Sequence, residues 1–453
     1  MFPQRGGIVL AAIAVLAIAA WPGFARLYRP SPAPPYVAPV QSDYLRRDET
    51  IAFYERRVQA DSRDQISAVL LAGQYMQRYR EAGDVGDILR ALHQALRSLR
   101  LQPQNNAAAL MLAASAYTAL HRFRDAIHYE EMAHRERPDD SNAPAQLASL
   151  AMEVGEYTRA DRDLAVAEAI RNTPTVMAVR ARYEELTGRL DRARSLLRAA
   201  IEQSDAVYDN PAQSRAWYHF RLGEIAFSAG DVAEAKQDER DAIAQFPGYE
   251  TAHRALARFC WATAEWTCAR DEAEKAAQIV PTPEALGYET DAQRALGQSA
   301  DAAQTNALIG AIERIGNAYH LNDRLLAVYY AEHRMRLDDA LQIARREVRV
   351  RGPEIYAQDT LAWAAAMDGH WNEAQRAASK AILYDTADPR IQFHAGVIAY
   401  HFGHFDSAGA RLRRALDLNP QFDPFYASIA RHLLEQAQAR SRESHQAFEL
   451  HYY

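Results

Sequence analysis

The chain has 453 residues, with 52 Lys and Arg against 59 Asp and Glu and a formal net charge of −7 at pH 7. At 49% hydrophobic and 25% charged residues it reads as a folded globular protein, and the acid excess argues against nucleic acid, whose binders neutralise phosphates with Lys and Arg. Its two cysteines exclude an all-cysteine zinc site, a cysteine-held iron–sulfur cluster and a disulfide-dense scaffold.

Residues 1–28 hold a stretch of 20 residues without charge, Gly6 to Ala25. As a helix it would span about 30 Å, the thickness of a bilayer core. The expectation is a signal anchor or a cleaved signal peptide. Gly23 and Ala25 suit a cleavage site, whereas Pro22 and Arg26 oppose one. Arg5 before the span nearly balances Arg26 and Arg29 after it. The reading favours the bulk of the chain outside the cytoplasm. The absence of a Cys after the span argues against a lipoprotein. Residues 29–41 carry Pro30, Pro32, Pro34, Pro35 and Pro39, which favour an extended, semi-rigid spacer.

Within residues 42–104, Tyr44 to Ala60 reads as a capping helix. Gln65 to Gln104 reads as a degenerate helical pair with an insertion around Arg80 to Asp87. Residues 105–420 are periodic. Turn residues recur about every 34 positions: His121, Gly155, Gly188, Gly230, Ala264, Gly297, Met335, Gly369 and Gly403, with one interval of 42 and one of 38. Seven positions earlier lie Ala114, Ala148, Ala181, Gly223, Ala257, Ala362 and Gly396. Five positions later Ala recurs in all nine units, and twelve later in most. Two antiparallel helices approach closely only where small residues cross, so these offsets predict hairpins. Phe123, Tyr157, Trp266, Trp371 and Phe405, two after the mark, would plug each turn, and Pro103, Pro138, Pro247, Pro281 and Pro420 would end second helices. Thr290 and Val328 break the small-residue pattern in two units. Residues 421–440 read as a C-terminal cap with Phe425, Ile429 and Leu433 on one face, and 441–453 as a frayed polar tail.

The pattern resembles the tetratricopeptide repeat (TPR). Nine units are in phase and a tenth is degenerate. The resemblance implies an all-α, right-handed superhelical solenoid whose first helices line a concave groove that binds peptides. In that register the groove would present Trp217, Phe220, Phe227, Trp261, Tyr329, Tyr356, Trp363, Phe393 and Tyr400, interleaved with Arg182, Arg254, Arg258, Arg294 and Arg390. Aromatics and Arg supply contact area and forked donors. The expected partner is therefore a protein or peptide bearing carboxylates. The alternative for any one aromatic is packing between first helices. Trp363→Ala with Arg258→Ala is expected to weaken capture without unfolding the array.

No His-Glu-x-x-His, Gly-rich phosphate loop or Gly-x-Ser-x-Gly elbow occurs. His370, His401 and His404 sit at hairpin turns, where a polar residue suits an exposed turn and no metal is expected. No cofactor, catalytic residue or small-molecule substrate is expected. Cys260 and Cys268 flank one hairpin turn and read either as a structural disulfide or as two buried small residues. The leading expectation is a non-catalytic interaction scaffold at the bacterial cell envelope, anchored in the inner membrane with its array in the periplasm, or secreted if cleaved. Its alternative is a cytoplasm-facing, membrane-tethered regulatory or assembly subunit. Lipopolysaccharide-assembly regulators share that plan but end in a four-cysteine metal module, which this chain lacks.

Overall fold

The computed structural model describes residues 43–206, 210–316 and 323–450. The expected anchor at 1–28 and the spacer at 29–41 lie outside the described residues. Among the described residues there are 22 α-helices and no strand, and no helix is long and apolar enough to cross a membrane. A 3₁₀ turn, Asp43–Arg46, leads into the single helix α1 (Arg47–Ala60). Ten hairpins follow: α2 (Gln65–Ala82) with α3 (Val85–Leu101), α4 (Ala107–Ala119) with α5 (Phe123–Glu136), α6 (Asn142–Glu153) with α7 (Tyr157–Ile170), α8 (Pro174–Leu186) with α9 (Leu190–Asp205), and α10 (Ala212–Ser228) with α11 (Val232–Gln245). The second five are α12 (Glu250–Ala262) with α13 (Trp266–Ile279), α14 (Pro283–Ala295) with α15 (Ser299–Gly316), α16 (Asp323–Glu332) with α17 (Leu337–Arg351), α18 (Ile355–Met367) with α19 (Trp371–Ala381), and α20 (Pro389–His401) with α21 (Phe405–Leu418). A last helix, α22 (Tyr426–Leu450), ends the array.

Eight of the ten turns are made the same way. The first helix ends in a left-handed residue, which is Gly155, Gly188, Gly230, Gly297, Gly369 or Gly403, or at φ 55° and 58° His121 and Ala264. The following N–H returns to a carbonyl five residues back, as in Glu156 to Ala151 and Arg189 to Glu184, both at 2.8 Å. The α16–α17 turn departs from the sequence register. Its left-handed residue is Arg334, not Met335, and a second one, Arg336 at φ 46°, absorbs an extra residue before α17. Where the hairpins close, the predicted small residues are buried. The nine alanines from Ala126 to Ala408 that follow the turns are at most 2% exposed. A Cβ on Gly396 would meet Leu412 Cγ at 2.8 Å, so glycine is what lets α20 touch α21.

The array curls until it meets itself. Tyr157 Oη accepts a hydrogen bond from the N–H of Ile355, 198 residues away, at 3.1 Å. Arg351 pairs with Glu153 over the same separation and lies over the Phe123 ring at 4.7 Å. Buried Asn419 donates from Nδ2 to the Phe227 carbonyl at 2.7 Å, 192 residues back. With units of about 34 residues, one superhelical turn takes about six units. The turn glycines make this approach possible. A Cβ on Gly155 would lie 2.6 Å from the Pro353 and Glu354 backbone, on Gly188 2.6 Å from the Asp385 carbonyl, and on Gly230 2.7 Å from the Leu418 carbonyl. The N-terminal end is pinned as well: Asp43 accepts from the Ala212 N–H at 3.2 Å, and Tyr44 packs on Phe246 at 4.8 Å.

The C-terminal cap differs from its expectation. The helix starts at Tyr426 and runs past residue 440 to Leu450. Phe425 and Ile429 are 56% and 44% exposed, while Phe422, Ala427 and Ala430 are buried. Of the apolar face inferred from Phe425, Ile429 and Leu433, only Leu433 packs on the core; Ala427, Ala430 and Ala437 supply the buried side of the helix. Of the two cysteine readings, the structure has the disulfide: Cys260 and Cys268 are bonded across the α12–α13 turn, with Cα atoms 5.8 Å apart. Cys260 is also fully buried.

Gly188 and Gly369 both sit at φ +81°, but only Gly188 faces a neighbouring backbone; nothing lies within 4 Å of a Cβ at Gly369. Alanine at either incurs the left-handed penalty of about 1–2 kcal/mol. Gly188→Ala should cost about 1–3 kcal/mol more, from the overpacked contact, read as the difference between the two denaturation midpoints. Equal midpoints would show that the two turns of the superhelix do not touch there.

Glu130 on α5 is 2% exposed, and one of its carboxylate oxygens lacks a hydrogen-bond partner. Burial, with Asp140 nearby, pushes its carboxyl up to about 8. The folded state therefore keeps a proton that the unfolded chain releases above its ordinary value near 4.5. Stability from this group is full below about pH 4.5 and falls as pH rises to about 8. Glu130→Gln should flatten that slope and raise stability at neutral pH by on the order of 2 kcal/mol, measured by urea unfolding at pH 5 and 8.

Candidate functional site

First helices face inward. Helices α8, α10, α12, α14, α16, α18 and α20, from seven consecutive units, line one cavity of about 390 Å³. His121 and Arg351 contribute at its edge. Of the groove residues expected from sequence, the cavity brings together Arg182, Phe220, Arg254, Arg258, Tyr356, Trp363 and Arg390.

The others are placed elsewhere. Phe227 is 2% exposed, stacked on Phe259 at 4.4 Å under the Arg258 guanidinium. Phe393 is 1% exposed, wedged against Tyr426 at 4.9 Å. Both fill the core between neighbouring first helices and cannot be contact residues. Tyr329 and Trp261 are buried beside a small adjoining void, and Tyr329 donates to Asn306 Oδ1 at 2.7 Å. Trp217 packs edge-on to Tyr218 at 5.3 Å between two core clusters. Arg294 is exposed and pairs with Asp291 at 3.5 Å. Tyr400, half-buried near the C-terminal end, donates to Gln436 at 2.7 Å.

The channel arginines are already engaged. Arg182 pairs with Glu185 at 3.0 Å, and Arg221 binds the same carboxylate. Arg254 bridges Glu250 at 2.9 Å and Glu284 at 2.5 Å. Arg258 meets Glu224 at 2.7 Å, and Arg390 meets Glu332. Burial alone would raise the Glu185 and Glu284 carboxyls; Arg221 and Arg182 around the first, and Arg254 and Arg258 around the second, hold both below the ordinary range. Arg324 is different. Its guanidinium lies over the Tyr356 ring at 5.6 Å and has no ion pair among the described residues. At the rim, burial and neighbouring Arg351 push His121 down to about 4, so it is neutral at physiological pH.

Sequence reasoning missed the acids of this ladder, together with Arg221, Arg324 and the His394–Asp359 pair at 3.0 Å. The signal was the unit spacing itself. Glu224 and Arg258 are 34 residues apart, Glu185 and Arg221 36, and Arg254 and Glu284 30. Each pair joins corresponding faces of adjacent first helices.

Helical hairpins about 34 residues long, closed at buried alanines and stacked with first helices inward, settle the architecture. The array is built of tetratricopeptide-type repeats. No family model matches the chain. A cytochrome c-type biogenesis protein, CycH, of Rhizobium meliloti strain 1021 is 32% identical over 120 residues, 25% of this chain. The chain spans about a third of that relative, 31% of its length. Among solved structures, the Cut9–Hcn1 assembly of the APC/C is similar at 14% identity, TM-score 0.32, over 87% of this chain and 94% of that one. Yeast Tom70 is similar at 13% identity, TM-score 0.35, over 88% and 93%. A human IFIT1 dimer with PPP-AAAA is similar at 16% identity, TM-score 0.42, over 70% and 72%. Overlap this loose bears on neither partner nor pathway.

The repeat register also corrects one expectation. Trp363 touches the cavity but is only 4% exposed, stacked on His394 at 4.1 Å. Trp363→Ala removes a buried aromatic and should cost about 3–5 kcal/mol, seen as a lowered melting temperature. Pairing it with Arg258→Ala, which also strands Glu224, therefore does not leave the array intact.

Proposed function

We propose that the chain is a non-catalytic scaffold of the bacterial cell envelope whose inner channel holds a segment of a protein partner. The observation that carries this reading is the channel. Seven successive first helices converge on it, and at about 390 Å³ it accommodates a few residues of extended chain or a chain terminus. Interaction surfaces made by stacked repeats are the ordinary use of such an array. The ion-pair ladder leaves Arg324 as the cation with which a partner carboxylate would pair. The hydroxyl of Thr360, a potential nucleophile in the channel, is spent on the Tyr356 carbonyl at 2.8 Å.

Two observations support the envelope. Residues 6–25 are free of charge, and Cys260 and Cys268 are bonded, a state that persists in oxidising compartments and is rare in the cytoplasm. The same bond weighs against the cytoplasm-facing regulator. The likeness to CycH, a protein named for cytochrome c-type biogenesis, adds that process as a direction over the 120 matched residues.

The test uses the full chain in its native membranes, with a photo-crosslinkable residue at Val328, which lines the channel, and at exposed Glu202 on the second helix α9 as control. A polypeptide adduct at 328 that is absent at 202 and is lost with Arg324→Ala supports the reading. An adduct indifferent to Arg324, or found equally at 202, sinks it. For the compartment, intact mass from the same membranes should rise by about 2 Da on reduction. An unchanged mass would return weight to the cytoplasm-facing regulator.

A further inference from the structure

We propose that His219, Asp238 and Asp241 form a binding site for a divalent transition-metal cation of the zinc type, in the α10–α11 hairpin and separate from the channel. His219 lies on α10, and Asp238 and Asp241 lie one turn apart on α11. One potential ligand atom from each comes within 4.8 Å of the other two. A tetrahedral site with bonds of about 2.0–2.2 Å needs ligand atoms about 3.3–3.6 Å apart, a contraction that side-chain rotation supplies.

The buried carboxylate points to a ligand. Asp238 is 8% exposed, and its Oδ2 is sealed from solvent without a hydrogen-bond partner. Such a group is costly unless something pairs with it. The nearby cations are taken: Arg194 is held by Asp231 at 2.6 Å and by Glu234, and Arg198 by Glu234 at 2.6 Å. Gln237 donates to Asp241 Oδ1 at 2.9 Å, which orients that carboxylate and leaves its other oxygen for a metal.

The next repeat shows what is missing here. The three positions 34 residues further on hold His253, Glu272 and Lys275. There His253 Nδ1 contacts Glu272 at 2.6 Å, and the Lys275 ammonium closes on the same carboxylate at 2.7 Å. That unit carries its own cation. In the α10–α11 unit an aspartate replaces the lysine, and among the described residues no ammonium closes on Asp238. Three protein ligands would leave a fourth position for water or for a group from a partner.

The test is zinc titration of the full chain after stripping with chelator, followed by calorimetry and by melting temperature. One equivalent of Zn²⁺ should bind and raise the melting temperature. His219→Ala and Asp238→Asn should each weaken binding at least tenfold and abolish the shift. Asp241→Lys should abolish binding too, while melting at or above the zinc-free parent because it restores the neighbouring unit's arrangement. This last variant separates lost ligation from lost folding. The proposal is overturned if the parent takes up no stoichiometric zinc, or if His219→Ala and Asp241→Lys keep its zinc response.

Discussion

The close approach of hairpin turns to the loops one superhelical turn later governs the rest of the molecule. A stack of repeats normally knows only its neighbours. Here Gly155, Gly188 and Gly230 lay their backbones against residues 353–354, 385 and 418–419, and buried Asn419 and Tyr157 hydrogen-bond across the junction. These contacts fix the curvature. The curvature in turn narrows the concave face from an open groove to a channel of about 390 Å³. An open array of the same sequence would offer a broad surface to a folded partner, whereas the closed one admits a segment.

Closure also dictates the channel's chemistry. Bringing the first helices of seven units around one axis would crowd their arginines together without countercharges. Glutamates on the channel helices prevent this, and Arg221, Arg254 and Arg258 each meet an acid about one unit away. Such pairs are partly desolvated and hold register better than they add stability. Arg324 rests on Tyr356 and has no ion pair among the described residues.

The helices were legible in the sequence because a helical hairpin is a local object. Alanine offsets of seven before and five after the turn recur whatever the array does at long range, and the first helices do face inward. What sequence could not give were distances set by closure. Phe393 and Phe227 read as groove residues from register, yet the tight curvature presses adjacent first helices together and buries both. The shift from Met335 to Arg334 is local, but it depends on two left-handed arginines that no propensity favours. The contact of Gly188 with Asp385 needs the pitch of the whole superhelix, which no single repeat encodes.

Repeat arrays usually drift in length, gaining or shedding whole units with little penalty beyond one interface. A sealed junction removes that freedom. One unit added anywhere between Gly230 and Pro353 would slide all three glycines off their opposing backbone at once, and methyl-bearing residues would meet it instead. The number of units between the two walls is therefore a selected quantity, like the strand count of a barrel, and descendants of this chain should change length at the ends beyond the junction and not within it.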